Sequence, residues 1–298
     1  MKADLHIHTK YSGIGGYWKL KFPDSIEEPR NIMKYAKKKD LSVIAITDHN
    51  TIRGGLETKK FEKEFGIDVV VGSEIITKDG EIIGLYLNEE IPKHLSAEET
   101  IEKIHEQGGL AVAPHPYSPI CSALGDKIFK LNLDGVEVFN AYHRDGIINN
   151  FTLKKIKQNF SSTHNHSKSF TYIGGSDAHI ARMVGNAYTI FKGDSSEELY
   201  HAIIKGETFF WGSSTPLLDI ILWSYNIVYA SEKELIKSII LKNPTLNMKL
   251  NTKLLAIIGG ITYLSTPLPI LAGLFGNYYL KYKAKHEVRE HQILYHEV

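Results

Sequence analysis

The chain has 298 residues, 43% hydrophobic and 23% charged, with 35 Lys and Arg against 34 Asp and Glu for a formal charge of +1. That length gives one large domain or a domain of about 200 residues with an appendage, and the even charge argues against a protein built on nucleic-acid backbone contacts. A single cysteine, Cys121, excludes an internal disulfide and a four-cysteine zinc site, whereas the 14 histidines stand out.

The chain opens Lys2-Ala3-Asp4-Leu5-His6-Ile7-His8, with no apolar leader and no small-residue cleavage site, so a cytoplasmic location is expected. Over residues 1–212 two textures alternate. Apolar, β-branched runs at 3–8, 43–47, 69–72, 82–87, 110–113, 135–139 and 170–173 predict strands. Charged stretches at 26–39, 53–65 and 97–107 predict helices. In the last of these, Ile101, Ile104 and His105 share a face, Ser96 with Glu98 and Glu99 marks the start, and Gly108-Gly109 marks the stop. A repeated β-then-α order predicts a parallel sheet, open or closed into a barrel. Lys78-Asp79-Gly80, between Glu74 and the run 81–87, predicts a hairpin inserted into that order.

Beyond Ser213 the texture changes, which sets a second region at 213–298. From Leu254 to Leu280 there is no charged side chain. Twenty-seven helical residues would span about 40 Å, more than the roughly 30 Å of a bilayer core. Pro267 and Pro269 divide the run, however, and basic residues flank it on both sides, with Lys249 and Lys253 before and Lys281, Lys283, Lys285 and Arg289 after. A single crossing fits that pattern poorly. The expectation is a helical hairpin over 254–280, touching the inner face of a membrane rather than packing on the barrel.

The metal-capable side chains fall at strand ends. His6 and His8, two apart, point to one side of the first strand. His49 ends the second and Glu74 the third, His115 ends a later one, and Asp177 and His179 follow the last. The C-terminal ends of parallel strands share one rim, so these seven residues are expected to converge. Imidazole nitrogens and carboxylate oxygens suit Zn, Mn or Fe, with no thiolate involved. Seven donors exceed what one zinc ion takes, so two or more ions are expected, bridged by Glu74 or Asp177.

Asp-Leu-His-Ile-His-Thr at 4–9, Thr-Asp-His-Asn at 47–50, Gly-Ser-Glu at 72–74, Pro-His-Pro at 114–116 and Gly-Ser-Asp-Ala-His at 175–179 resemble the PHP (polymerase and histidinol phosphatase) superfamily. The resemblance covers roughly residues 1–212. It implies an α/β fold, a distorted seven-stranded β/α barrel here followed by a C-terminal helical appendage, with a two- or three-metal site and phosphoester hydrolysis. The stretch Val184–Thr189, with a helix over 196–204, is similar to the segment that closes such domains. Two positions depart from the pattern. Gly13 stands where many members carry Asp, which removes one ligand of the outer metals. Glu81 stands where the family often has His, and is kept as a ligand for Mn or Fe.

The expected function is therefore hydrolysis of a small phosphate ester, with nucleotides or short oligonucleotides favoured, by a site that activates water. His115, Asp177 and Arg182 are the residues on which the reaction is expected to depend, with Arg182 or His143-Arg144 on the phosphate. Asp48 is expected to orient a ligand or its strand, Asn140 to line the pocket, and Gly13-Ile14-Gly15-Gly16 to form a loop that could offer amides to phosphate. His164 and His166 read as loop residues, and His286, His291 and His296 show no ligand spacing. Duplex DNA is not an expected partner. Two rival readings remain: hydrolysis of a C–N or C–O bond by the same metals, and a non-catalytic, membrane-attached module on a degenerate barrel.

Overall fold

Strands form where β-branched runs can be buried on both faces, and alternate residues of one strand serve different cores. In a computed structural model, which describes residues 1–17, 20–162, 170–240 and 250–294, Val43–Ile46 shows this directly. Ile44 and Ile46 pack with Ile32, Met33 and Ala36, while Val43 and Ala45 pack with Leu199, Ala202 and Ile203.

The strands are β1 (Lys2–Asp4), β2 (Ile14–Tyr17), β3 (Leu20–Pro23), β4 (Val43–Ile46), β5 (Asp68–Ile76), β6 (Glu81–Leu85), β7 (Leu110–Ala113), β8 (Gly135–Asn140), β9 (Thr171–Gly175), β10 (Ala187–Phe191) and β11 (Thr208–Gly212). The helices are α1 (Pro29–Lys38), α2 (Arg53–Lys59), α3 (Glu62–Phe65), α4 (Ala97–Glu106), α5 (Ile148–Ser162), α6 (Ser196–Lys205), α7 (Leu217–Ile240), α8 (Leu250–Ser265) and α9 (Leu268–Leu294). The main sheet runs β11-β10-β1-β4-β5-β6-β7-β8-β9. Parallel pairing joins β1, β4 and β5, and again β7, β8 and β9. β6 alone is reversed within that run, antiparallel to both β5 and β7, as the turn at 78–80 requires.

Beyond the ends of β1 and β9 the chain pairs again, in parallel, at Ile7 and Ala178. His8 N donates to Ala178 O at 2.9 Å, and Ala178 N to His6 O at 3.3 Å. These bonds draw the run β1 to β9 into a nearly closed barrel of seven strands, while β10 and β11 extend antiparallel from β1. The α/β barrel is as expected, and α4 has the anticipated capping box of Ser96 and Glu99. The single helix expected over 53–65 is two, α2 and α3, and residues 14–17 form a strand rather than a phosphate-cradling loop.

The C-terminal region is helical, but not a hairpin. α8 and α9 meet at Thr266-Pro267 with a bend of 84°, a right-angled corner. Pro269 occupies the first turn of α9, where a missing N–H costs nothing. Among the described residues no single helix is long and apolar enough to cross a membrane. α7, which the mixed composition of 214–252 concealed, packs against both: Tyr263 Oη of α8 donates to Ser224 Oγ at 3.1 Å and Lys253 Nζ to Ser238 Oγ at 3.0 Å, while Gly273 of α9 lies close against Ile221. His164, His166, Lys249 and His296 lie outside the described residues.

One buried carboxylate ties the barrel's closing region together. Asp4 Oδ1 accepts from Ser176 N at 3.0 Å and Oδ2 from Gly185 N at 2.7 Å. Asp4→Ala strands both amides away from water at about 1–3 kcal/mol each. The variant is expected to unfold several degrees below the parent in a thermal melt.

Candidate metal centre

The site begins with the period of the strand. Ile7 points into an apolar core with Ala178, so His6 and His8 turn to the other side, opposite Asp177 and His179. Each histidine is oriented by one ring nitrogen. His6 Nδ1 lies 3.1 Å from Glu137 Oε1, His8 Nδ1 3.0 Å from Ser12 Oγ, and His179 Nδ1 3.0 Å from the carbonyl of Asp177. The other nitrogens then face carboxylates. His6 Nε2 is 3.4 Å from Glu74 and 3.5 Å from Asp177, and His8 Nε2 is 3.4 Å from both. His115 Nε2 meets Glu74 at 3.0 Å, and His49 Nδ1 meets it at 3.3 Å. All seven strand-end residues thus share one site.

Donor atoms gather in overlapping groups, each within 4.8 Å: His6, His8 and Asp177; His6, Glu74 and His115; His49, Glu74 and Glu81; and His8, Asp24 and His49. His6 Nε2, His8 Nε2, His49 Nδ1, His115 Nδ1 and Asp24 Oδ2 are buried without a hydrogen-bond partner. Burying that many lone polar atoms is costly unless something positive sits between them. Divalent cations fit this donor set.

The surrounding residues fix the ligands. Glu137 Oε2 accepts from His115 N and from Asn140 Nδ2, both at 2.9 Å, and Asn140 Nδ2 also lies 3.1 Å from Asp177 Oδ2. Carboxylates behind ligating histidines set tautomer and ring angle. Gly175 permits this crowding, since a Cβ there would stand 2.4 Å from Glu137 Oε1 and 2.7 Å from His6 Cβ. Asp48 takes the orienting role expected of it, accepting from Thr9 N at 2.6 Å and Thr9 Oγ1 at 2.7 Å.

Charge follows proximity. Burial works against ionising Glu74 and Asp177, yet the histidines around them, His6 foremost, hold both carboxyls well below their usual range. Glu81 goes the other way, raised to about 7 by burial and by the charge of Glu74. Burial and the neighbouring His179 lower His8 to about 4.

Four positions stand in company the sequence did not signal. Gly13 brings no carboxylate, but Asp24 lies with His8 and His49. β2 and β3 form an inserted hairpin whose ends meet, Asp24 N donating to Gly13 O at 3.1 Å. Asp24 then reaches His179 Nε2 at 3.3 Å and His8 Nδ1 at 3.7 Å. Arg182 does not join the cluster through its Nε, which donates to Asp219 of α7 at 2.8 Å. Cys121, set aside at the sequence level, lies with Glu81 and His115. His291 of α9, given no role, packs its ring 5.4 Å from that of Tyr117 and 5.5 Å from that of Phe151. No ligand spacing in the sequence signals Asp24 or Cys121. Glu81 itself stands 3.9 Å from His115 Nε2, at the edge of the cluster.

Residues 165–208 match the family described as PHP-associated, a segment that holds the motif Gly-Ser-Asp-Ala-His. The chain belongs to the PHP superfamily. Among relatives, uncharacterized protein MJ1587 of Methanocaldococcus jannaschii is 80% identical over 156 residues, covering 52% of this chain and 91% of that protein. Uncharacterized protein MJ0417 of the same organism is 33% identical over 199 residues, or 64% of this chain and 70% of that one. A 5'-3' exoribonuclease of Haemophilus influenzae is 28% identical over 115 residues, 37% of this PHP chain and 38% of its own length.

In the metal-free protein burial opposes protonation of His115 and His179, but Glu74 and Asp24 respectively hold each up to about 9. A metal arriving at pH 7 therefore displaces protons. Metal affinity is expected to rise with pH up to about 9 and to fall in acid. Zinc or manganese added to weakly buffered protein should acidify an indicator dye.

Proposed function

We propose that this PHP protein is a metal-dependent phosphoesterase that uses two or three ions on small phosphate esters, with nucleotides or short oligonucleotides as the preferred class. The observation that carries the reading is the set of buried nitrogen and oxygen atoms without partners, converging at the strand-end rim. His6, His8, Glu74, Glu81, His115, Asp177, His49, Asp24 and His179 would hold zinc, manganese or iron there. When bound, such ions neutralise charge on a phosphoryl group and make water nucleophilic at neutral pH.

The chain's own residues do the rest. Glu137 and Asn140 keep His6, His115 and Asp177 in register, so little reorganisation accompanies substrate binding. With Arg182 engaged by Asp219, Arg144 is the better placed guanidinium for phosphate oxygens. It stacks on the Tyr142 ring at 5.5 Å, its Nη1 donates to Tyr142 O, and its Nε has no hydrogen-bond partner. Trp223 of α7 lies 5.1 Å from the His179 ring and 6.1 Å from Tyr142, giving aromatic surface beside the residues that would hold the metals, against which a base could stack. The similarity to an exoribonuclease supports the nucleotide class.

Phosphate release from a panel of phosphomonoesters, and cleavage of short oligonucleotides, are expected with manganese supplied. Asp177→Asn and His115→Ala should lower the rate at least about 100-fold, as loss of a ligand to the activating ion does. Full rates in either variant with metal retained overturn the reading, and release of amine in place of phosphate would favour C–N hydrolysis.

The C-terminal corner supports a second proposal, association with a membrane surface. Leu255, Ile258, Ile261, Leu271, Phe275 and Tyr278 are between half and 70% exposed on α8 and α9, and exposed large apolar side chains in such number suit an apolar or lipid surface. Lys281, Lys283 and Lys285 follow on α9, as anionic head groups would favour. The full chain should float with anionic liposomes, and Leu271→Glu with Phe275→Glu should abolish flotation. A full chain that stays in the soluble fraction refutes the membrane reading and leaves the catalytic one standing.

A further inference from the structure

We propose that Cys121 is a metal ligand, supplying sulfur to the position it shares with Glu81 and His115. The inference rests on the metal reading above and gives that one position a character the others lack. Cys121 Sγ, a His115 ring nitrogen and a Glu81 carboxylate oxygen lie within 4.8 Å of one another, and Glu74 reaches the same histidine at 3.0 Å. The His115 side chain is 2% exposed; its Nε2 faces Glu81 at 3.9 Å, and its Nδ1 has no hydrogen-bond partner.

The backbone builds this cluster. After His115 the chain turns back on itself, with Ser118 N donating to His115 O at 2.8 Å and Cys121 N to Ser118 Oγ at 3.0 Å. On its other side the same loop is fastened to the start of β6, where Glu81 N donates to Ser122 O at 2.8 Å. Gly80 lets the two segments touch, since a Cβ there would stand 2.8 Å from the backbone of Ala123 and Leu124. Cys121 is thus held between two ligand-bearing segments.

One thiolate, one imidazole and one carboxylate make a three-donor set suited to zinc or ferrous iron, and poorly suited to magnesium, with a further position left for water or substrate. The neighbouring group of His8, Asp24 and His49 offers nitrogen and oxygen only. The two positions should therefore differ in metal preference within one site.

Because the chain has no other cysteine, sulfur ligation can be read without ambiguity. The full-length protein and Cys121→Ser are loaded with Co(II) in buffer free of thiols, and their absorption spectra compared. The expected result is a near-ultraviolet thiolate-to-cobalt charge-transfer band in the parent, lost in Cys121→Ser while the visible ligand-field bands persist. Ligand-field bands with no charge-transfer band in the parent overturn the proposal and leave the metal site intact. Failure of the parent to retain cobalt overturns both. Should Cys121→Ser not fold, X-ray absorption on the zinc-loaded parent decides: a sulfur shell at about 2.3 Å supports the assignment, and a first shell of nitrogen and oxygen alone overturns it.

Discussion

Two backbone hydrogen bonds, from His8 to Ala178 and from Ala178 to His6, set the geometry on which this protein depends. They join the extensions of β1 and β9, strands from opposite ends of a seven-strand run. Because side chains alternate along extended chain, burying Ile7 and Ala178 on one side forces His6, His8, Asp177 and His179 onto the other. The remaining candidate donors arrive by the same logic, His49 pairing with Glu74 of β5 in a bridge that prolongs β4. His115 and Asp177 leave their strands with φ of 26° and 52°, a region non-glycine residues seldom occupy. Strain of that kind persists only where the surroundings over-determine it, here through Glu137 and Asn140.

The cost of the arrangement is electrostatic. Carboxylates and imidazoles buried side by side must share protons or cations, and Glu74 stays ionised because His6, His49 and His115 surround it. Glu81 has weaker compensation and so holds its proton to about 7. The fold answers the cost with a layer behind the ligands. Glu137 serves His6, His115 and Asn140 at once, and Asp48 pins Thr9 directly after His8. Removing one such group disturbs several donors, so the layer acts as a unit.

The barrel and the convergence of the seven strand-end residues were legible because both obey local rules: β-branched runs mark strands, and donors directly after such runs must share a rim. Asp24 was not legible, since its position depends on a hairpin whose ends close on Gly13, and ten intervening residues erase the spacing. Cys121 was hidden for the same reason, brought back by a turn held by Ser118. Arg182 misled because its partner, Asp219, lies on α7, and α7 escaped notice. That helix meets the barrel on one side and α8 and α9 on others, so no single apolar stripe marks it. A right-angled corner stands in place of the expected hairpin, and both arms pack on α7, Gly273 of α9 lying close against Ile221 and Tyr263 of α8 against Ser224.

α7 also joins the two halves of the molecule. Trp223 Nε1 donates to the carbonyl of Asp24 at 3.0 Å, and its ring lies against His179. One turn earlier, Asp219 holds Arg182, which follows the last ligand motif by three residues. The same helix carries Ser224 and Ile221, the contacts of α8 and α9. The Asp24 edge of the candidate metal site is therefore braced by a helix whose far side supports the exposed apolar corner. Through Trp223, α7 is in this sense part of the site's wall.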